Sequence, residues 1–194
     1  MPRTAKQLVN LVLQNATDIK ALEKLCTPDC SYTSLCYSNP ALKKLMPYAG
    51  VHDREGPEAI RYTFATVGHI WHNEDFQVIA SFSDEGSSDR SGPGQDEGLV
   101  NVAVFGRFTY RSSVLGKKYE SPFSVWCVID MRLGEEGEGN LEGKGRLVSM
   151  QFMEDTFGTG ATFEKEGRKT YEVEKGEDVV IGLTGEDVGK GDDA

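Results

Sequence analysis

Glu154 closes a strand-like run, Arg146-Leu-Val-Ser-Met-Gln-Phe-Met-Glu-Asp-Thr156, and a carboxylate ending an apolar strand is a candidate acid or base. Period-two alternation puts Val148, Met150, Phe152 and Glu154 on one face, with Leu147, Ser149, Gln151, Met153 and Asp155 on the other. If the first face lines a cavity, desolvation by Met150 and Phe152 raises the pKa of Glu154 toward the range of proton exchange near neutral pH. The competing reading is a solvated strand-end carboxylate, or a cap for a short helical segment at 156–162. Asp155, on the opposite face, is read as a cap for that same segment.

Two tyrosines are candidate donors to an oxygen that gains charge when Glu154 moves a proton. In the run 99–111, Val102, Val104, Gly106, Phe108 and Tyr110 share the face expected to look inward. Tyr32 shares a face with Ser34 on an earlier strand. Each of these tyrosines also has an ordinary reading as a core or rim residue with a satisfied hydroxyl. Trp71, Phe64, Phe108, Phe123, Met150 and Phe152 are the expected apolar walls, and His52, beside Asp53 and Arg54, is a candidate contact from a loop. His72 follows Trp71 at a helix end and is read as stabilising that end.

The elements that must hold these groups follow from spacing. Leu8, Leu11, Val12, Leu22 and Leu25 recur at helical intervals, interrupted by Asn15-Ala-Thr-Asp18, which reads as a break and a second N-cap. Cys30 to Tyr37 alternates as a strand, and 39–47 reads as one or two helical turns between prolines. Gly56-Pro57-Glu58 opens a longer helix whose apolar face carries Ile60, Phe64, Val67 and Trp71. Strands are expected at 74–83, 99–111, 119–131 and 146–155. In 119–131, Phe123, Val125, Cys127 and Ile129 face inward, leaving Trp126 on the outer face, where it can serve a dimer contact. The connections 83–98 and 134–145 read as mobile polar insertions. Beyond Phe163, Tyr171-Glu-Val-Glu and Val179-Val-Ile-Gly read as short strands, and residues from 184 onward as disordered.

The chain has 194 residues, 38% hydrophobic, enough for one domain with a core. Its formal charge of −10 is concentrated in 83–98, 134–145 and 164–194, which together carry −12. The acidity therefore belongs to loops and tail and reads as solubility. There is no basic stripe with interleaved aromatics, which argues against nucleic acid. Cys26, Cys30, Cys36 and Cys127 lack metal-site spacing and, with no secretory signal or apolar span, read as reduced thiols of a cytoplasmic protein outside the membrane.

Paired helices, a strand, a third helix and a meander resemble the NTF2-like α+β cone, specifically its SnoaL-like branch within the ketosteroid isomerase-like superfamily. The resemblance covers roughly residues 5–163. It rests on His52-Asp-Arg-Glu-Gly-Pro-Glu-Ala, Trp71-His-Asn-Glu-Asp-Phe-Gln-Val, Val102-Ala-Val-Phe-Gly-Arg-Phe-Thr-Tyr-Arg111 and Met150-Gln-Phe-Met-Glu-Asp-Thr-Phe157. It implies three N-terminal helices packed on a curved antiparallel sheet over 1–163, followed by an acidic, partly disordered extension at 164–194. It also implies chemistry without cofactor or metal, an acid or base and a hydrogen-bond donor working in an apolar cone, and a homodimer. Two patterns of the branch are missing: the His-Trp pair and acid of some cyclases are replaced by Met150-Gln151 and Phe152, and the Arg and Asp of the epoxide hydrolases are absent.

The expected function is an isomerase- or cyclase-type enzyme acting on a polycyclic secondary metabolite, a polyketide, terpenoid or alkaloid, by acid–base catalysis. Glu154, Tyr110 and Tyr32 are its expected catalytic groups. The alternative is a non-catalytic module of the same fold that binds a small hydrophobic ligand or serves assembly.

Overall fold

The structure is a computed structural model that describes residues 3–34, 50–51, 56–86, 98–113, 115–134, 143–155, 168–172 and 178–182. Helix α1 (Ala5–Gln14) starts where Thr4 and Gln7 cap each other: the Gln7 N–H donates to Thr4 Oγ1 at 3.3 Å and the Thr4 N–H to Gln7 Oε1 at 2.8 Å. Its buried stripe is Ala5, Leu8, Val9 and Val12, the helical spacing expected of a core-facing face. Asp18 then accepts from the N–H groups of Lys20 and Ala21 and opens α2 (Ile19–Leu25).

Strand β1 (Cys26–Ser34) follows without a loop, so the first strand begins four residues before the expected Cys30. After β2 (Gly50–Val51), Pro57 takes the first turn of α3 (Pro57–Ile70), where its missing N–H costs nothing. Ala59, Ile60 and Thr63 are buried, with Phe64 and Val67 packed partly buried beside them. Gly56, just before α3, has φ +69°, and a Cβ there would stand 2.3 Å from the Pro28 carbonyl oxygen. That close approach pins the start of α3 to β1, where the Gly56 N–H donates to the Cys30 carbonyl at 2.9 Å.

The sheet is completed by β3 (Trp71–Ser83), β4 (Leu99–Ser112), β5 (Lys118–Asp130) and β6 (Arg146–Glu154), in the order β2-β1-β6-β5-β4-β3. It is mixed rather than antiparallel, because β1 runs parallel to β6 with Cys26 opposite Leu147 and Ser34 opposite Phe152. Both strands enter at the same end of the sheet, one from α2 and the other from the connection after β5. Among the described residues, two helices precede β1 and another follows β2, the order read from spacing, rather than a block of three at the N-terminus.

Trp71 leaves α3 directly into β3, and His72 is an exposed strand residue paired with Arg111 rather than a helix-end group; His69 is the basic residue of the last helical turn. Helices and sheet enclose one core, in which Leu8, Leu22, Leu25, Ile60, Trp71, Phe108, Ile129, Leu147 and Met150 are almost wholly buried. Each such aliphatic or aromatic side chain stabilises the fold by roughly 1.5–3 kcal/mol through burial. The inward faces of β4 and β5 are those read from alternation: Val102, Val104, Phe108 and Tyr110 are buried, as are Phe123, Val125, Cys127 and Ile129. On β6 the alternation breaks, because a register shift beside Val128 and Ile129 buries Leu147 as well as Met150 and leaves Val148 half-buried.

Beyond the domain, β7 (Arg168–Glu172) and β8 (Asp178–Gly182) pair antiparallel as a separate two-stranded sheet, at the two strand signals of the extension. The expected turns at 39–47, most of both polar insertions, the 156–162 segment, His52, Cys36 and the residues from 184 onward lie outside the described residues.

Candidate active site

Glu154, Tyr110 and Tyr32 come together although they stand on three different strands. β1 places Tyr32 beside Met150 of β6, β6 pairs Glu154 with Phe123 of β5, and β5 carries Tyr119 opposite Tyr110 of β4. Directly paired residues share a face, so these groups all look toward the helices. Between the sheet and α3 they leave a small cavity of about 280 Å³, counting the part open to solvent. Its lining is Tyr32, Ser34, Thr63, Phe64, Val67, Tyr110, Phe152 and Glu154.

Phe64 and Phe152 form the apolar wall, meeting edge to face at 5.7 Å. Tyr32 lies 6.2 Å from Phe64. Trp71, Phe108, Phe123 and Met150 sit behind this lining in the core. There Phe108 stacks on Tyr110 at 4.0 Å, Phe123 stacks on Phe152 at 5.4 Å, and Trp71 stacks on Tyr110 at 6.1 Å. These rings fix the orientation of Tyr110 and Phe152 from the side away from the cavity. Gly106 makes the arrangement possible, since a Cβ there would stand 2.4 Å from the Phe123 ring and 2.2 Å from the Gln77 carbonyl oxygen.

The electrostatics centre on Glu154. Burial pushes the Tyr32 phenol well above its ordinary pKa, a hydrogen bond with Ser34 pulls it part of the way back, and the charge of Glu154 raises it further. Tyr110 is raised by burial first and by the charge of Glu154 second. Both phenols therefore stay protonated at any physiological pH and can act as neutral hydrogen-bond donors. Glu154 is itself half-buried, at the end of β6.

Two groups beside this site, Tyr119 and Asp155, are not among the catalytic candidates read from the sequence. Tyr119 donates a short hydrogen bond to the Asp155 carboxylate, and its pKa is pushed up to about 12 by burial, by that hydrogen bond, and by the charges of Asp155 and Glu154. Asp155 is therefore engaged with β5; the segment it was expected to cap lies outside the described residues. Thr63, Ser34 and Val67 complete the cavity, and only their places on the helical and strand faces could have suggested them.

Cys26, Cys30 and Cys127 are free and buried. A hydrogen bond with Cys30 and burial raise the pKa of Cys26, and burial raises that of Cys127, which leaves both poor nucleophiles. Among the described residues no group of three or more His, Cys, Asp or Glu is arranged to hold a metal ion, and no helix is long and apolar enough to cross a membrane.

No family model matches the sequence. The chain is 34% identical over 155 residues to patulin synthesis protein F of Aspergillus clavatus, a match covering 79% of this chain and 65% of that protein. It is 32% identical over 146 residues to patulin biosynthesis cluster protein F of Penicillium expansum, covering 75% and 60% respectively. The chain thus spans less than two thirds of the length of these curated relatives. Among solved structures, it superimposes on an NTF2-like protein from Burkholderia thailandensis with a TM-score of 0.55 at 19% identity, covering 84% of this chain and 98% of that one. A second NTF2-like protein, from Burkholderia xenovorans, gives a TM-score of 0.51 at 16% identity, covering 82% and 95%.

Proposed function

With the NTF2-like fold as premise, we propose that the chain is a cofactor-free acid–base catalyst of the isomerase or cyclase class acting on a small secondary metabolite. The observation that carries this reading is the meeting of one carboxylate, Glu154, with two buried, protonated tyrosines, Tyr32 and Tyr110, at one cavity. Relatives named for patulin synthesis support the metabolite class. The enclosed part of the cavity is narrow, with room for about one water molecule.

In this reading Glu154 removes a proton from a carbon next to a carbonyl. The electron pair moves into the carbonyl, and the resulting enolate oxygen accepts hydrogen bonds from Tyr110 and Tyr32. Glu154 then returns a proton at a different carbon, which completes an isomerisation without any external electron donor. The same enolate carbon can instead attack a second carbonyl carbon of the substrate, whose oxygen takes the π electron pair and then the proton from Glu154, which is a cyclisation. The outer face of the sheet is proposed as a homodimer contact, since Phe82, Phe105 and Trp126 are 62%, 48% and 48% exposed there and cluster across neighbouring strands.

The second reading, a module that only binds a hydrophobic ligand, is favoured by the narrowness of the same cavity. Hydrogen–deuterium exchange separates the two. A panel of small cyclic enones is incubated in D2O with the wild-type protein and with Glu154→Gln, and deuterium uptake at the α and γ carbons is followed by NMR. Catalysed exchange that falls by ~10²–10⁴ in the variant supports the enzyme. Background rates with every enone favour the binding module.

A further inference from the structure

We propose that Phe64 determines which rings the cavity accepts: the substrate's oxygen enters the closed end, its ring lies at the mouth, and the Phe64 side chain limits the width of that ring. This rests on the reading of the cavity as the substrate site, and it names the class admitted, a single ring carrying a carbonyl or hydroxyl oxygen rather than a fused bicycle.

Burial grades the lining. Tyr32, Ser34, Thr63, Tyr110 and Phe152 are buried, whereas Phe64, Val67 and Glu154 are half-buried and form the mouth. The enclosed part, with room for about one water molecule, takes an oxygen atom and not a ring. The oxygen therefore goes among the buried residues, two of them tyrosines, and the ring stays beside Phe64, Val67 and Glu154. That placement sets ring carbons, rather than the oxygen, beside the carboxylate.

The mouth does not widen by moving α3 as a body. At its start the Gly56 N–H donates to the Cys30 carbonyl at 2.9 Å. At its end the Ile70 carbonyl accepts from the Ser113 N–H at 3.0 Å and from Ser113 Oγ at 2.7 Å, and the chain runs straight into the buried Trp71. Side chains must then set the width. Phe152 is stacked on Phe123, Tyr110 on both Phe108 and Trp71, and Thr63 Oγ1 donates to the Ala59 carbonyl at 2.9 Å. Val67 is β-branched and has one strongly preferred rotamer in a helix.

Phe64 is held differently. It meets Phe152 edge to face at 5.7 Å and Tyr32 at a tilted 6.2 Å, so it closes the gap to β6 and β1 without stacking on either ring. Both distances are those of rings in direct contact, which leaves no slot for a further ring between them. A single ring fits outside Phe64, whereas a fused second ring runs into its phenyl group. Truncation at position 64 removes one ring's worth of bulk at that point, so it changes the preference between ligands as well as their affinity.

Phenol and 2-naphthol test this, since each carries one hydroxyl and they differ by one fused ring. Their binding to the wild type, Phe64→Ala, Phe64→Leu and Tyr62→Ala is measured by titration calorimetry, with circular dichroism checking the fold of each variant. Tyr62 lies on the exposed side of the same helix and is the control. The wild type is expected to bind phenol at least as tightly as 2-naphthol. The ratio of the two Kd values should shift toward 2-naphthol by ~10-fold or more in Phe64→Ala, by less in Phe64→Leu, and not in Tyr62→Ala. If Phe64→Ala does not fold, Phe64→Leu decides by the direction of the same shift. A wild type that prefers 2-naphthol, an unchanged ratio in the folded Phe64 variants, or no saturable binding of either compound to any folded protein overturns the proposal. The ratio is read without turnover, so a failed role for Glu154 in enone exchange leaves it in place, and a failed filter leaves that exchange in place.

Discussion

At the scale of single residues, the site is one carboxylate among protonated phenols, and the variants divide its duties. Tyr110→Phe keeps the ring that stacks on Phe108 and removes only the donor, so it should cut kcat of enone exchange by ~10²–10³ with little change in thermal stability. An unchanged kcat would make Tyr110 a wall residue. Tyr32 and Tyr110 also give a pH signature of stability. Their pKa values are higher in the folded than in the unfolded chain, so above the ordinary tyrosine value of ~10 the folded state holds protons that the unfolded chain has released. Stability is then fully present below about pH 10 and falls above it, by about 1.4 kcal/mol per pH unit for each of the two. Urea unfolding at pH 9 and pH 11 should show this loss, to which Tyr119, Cys26 and Cys127 with their raised pKa values add, and Tyr110→Phe should lose about 1.4 kcal/mol less than the wild type over that interval. The alternation of residues 146–155 places Glu154, and that of 99–111 places Tyr110, on the sheet face that lines the cavity. The Tyr119–Asp155 hydrogen bond was not legible, because it joins residues 36 positions apart in the chain.

At the scale of elements, local signals were read well and long-range pairing was not. The caps at Thr4 and Asp18, proline in the first turn of α3, and the inward faces of β4 and β5 are written within a few residues of where they act. The parallel pairing of β1 with β6 joins segments more than a hundred residues apart, and alternation looks the same whichever way a neighbour runs. The shift that buries Leu147 is equally silent, since one extra residue in a strand exchanges its two faces. Gly106 is the element-scale residue on which the site depends. Gly106→Ala should destabilise the fold by ~1–3 kcal/mol, because the added methyl meets the Gln77 carbonyl oxygen as well as the Phe123 ring. Chemical denaturation checks this, and stability equal to the wild type would mean that the sheet relaxes there at no cost.

At the scale of the whole molecule, the NTF2-like arrangement places a cavity between a helix and a mixed sheet, with an outer sheet face divided in two. One part is laced by Arg107–Glu120, Arg111–Glu74 and Lys118–Glu74 pairs, and the other exposes Phe82, Phe105 and Trp126. A homodimer through the apolar part predicts that Trp126→Glu shifts the mass seen by light scattering from two chains to one, while a wild-type protein already monomeric at high concentration would remove that contact. The order of the strand signals is enough to suggest the antiparallel run β3-β4-β5-β6, whereas the place of β1 beside β6 is not legible there, since composition and charge bound the class without ordering the sheet.

In the proposed function the carboxylate of Glu154 is the base. The most direct measurement of it is the pH–rate profile of enone exchange, taken for the wild type and for Glu154→Gln. Glu154 as the base predicts an acid limb in the wild type, with the rate falling tenfold per pH unit as the carboxylate is protonated, and no such limb in the residual rate of the variant. The same acid limb in both proteins would contradict it.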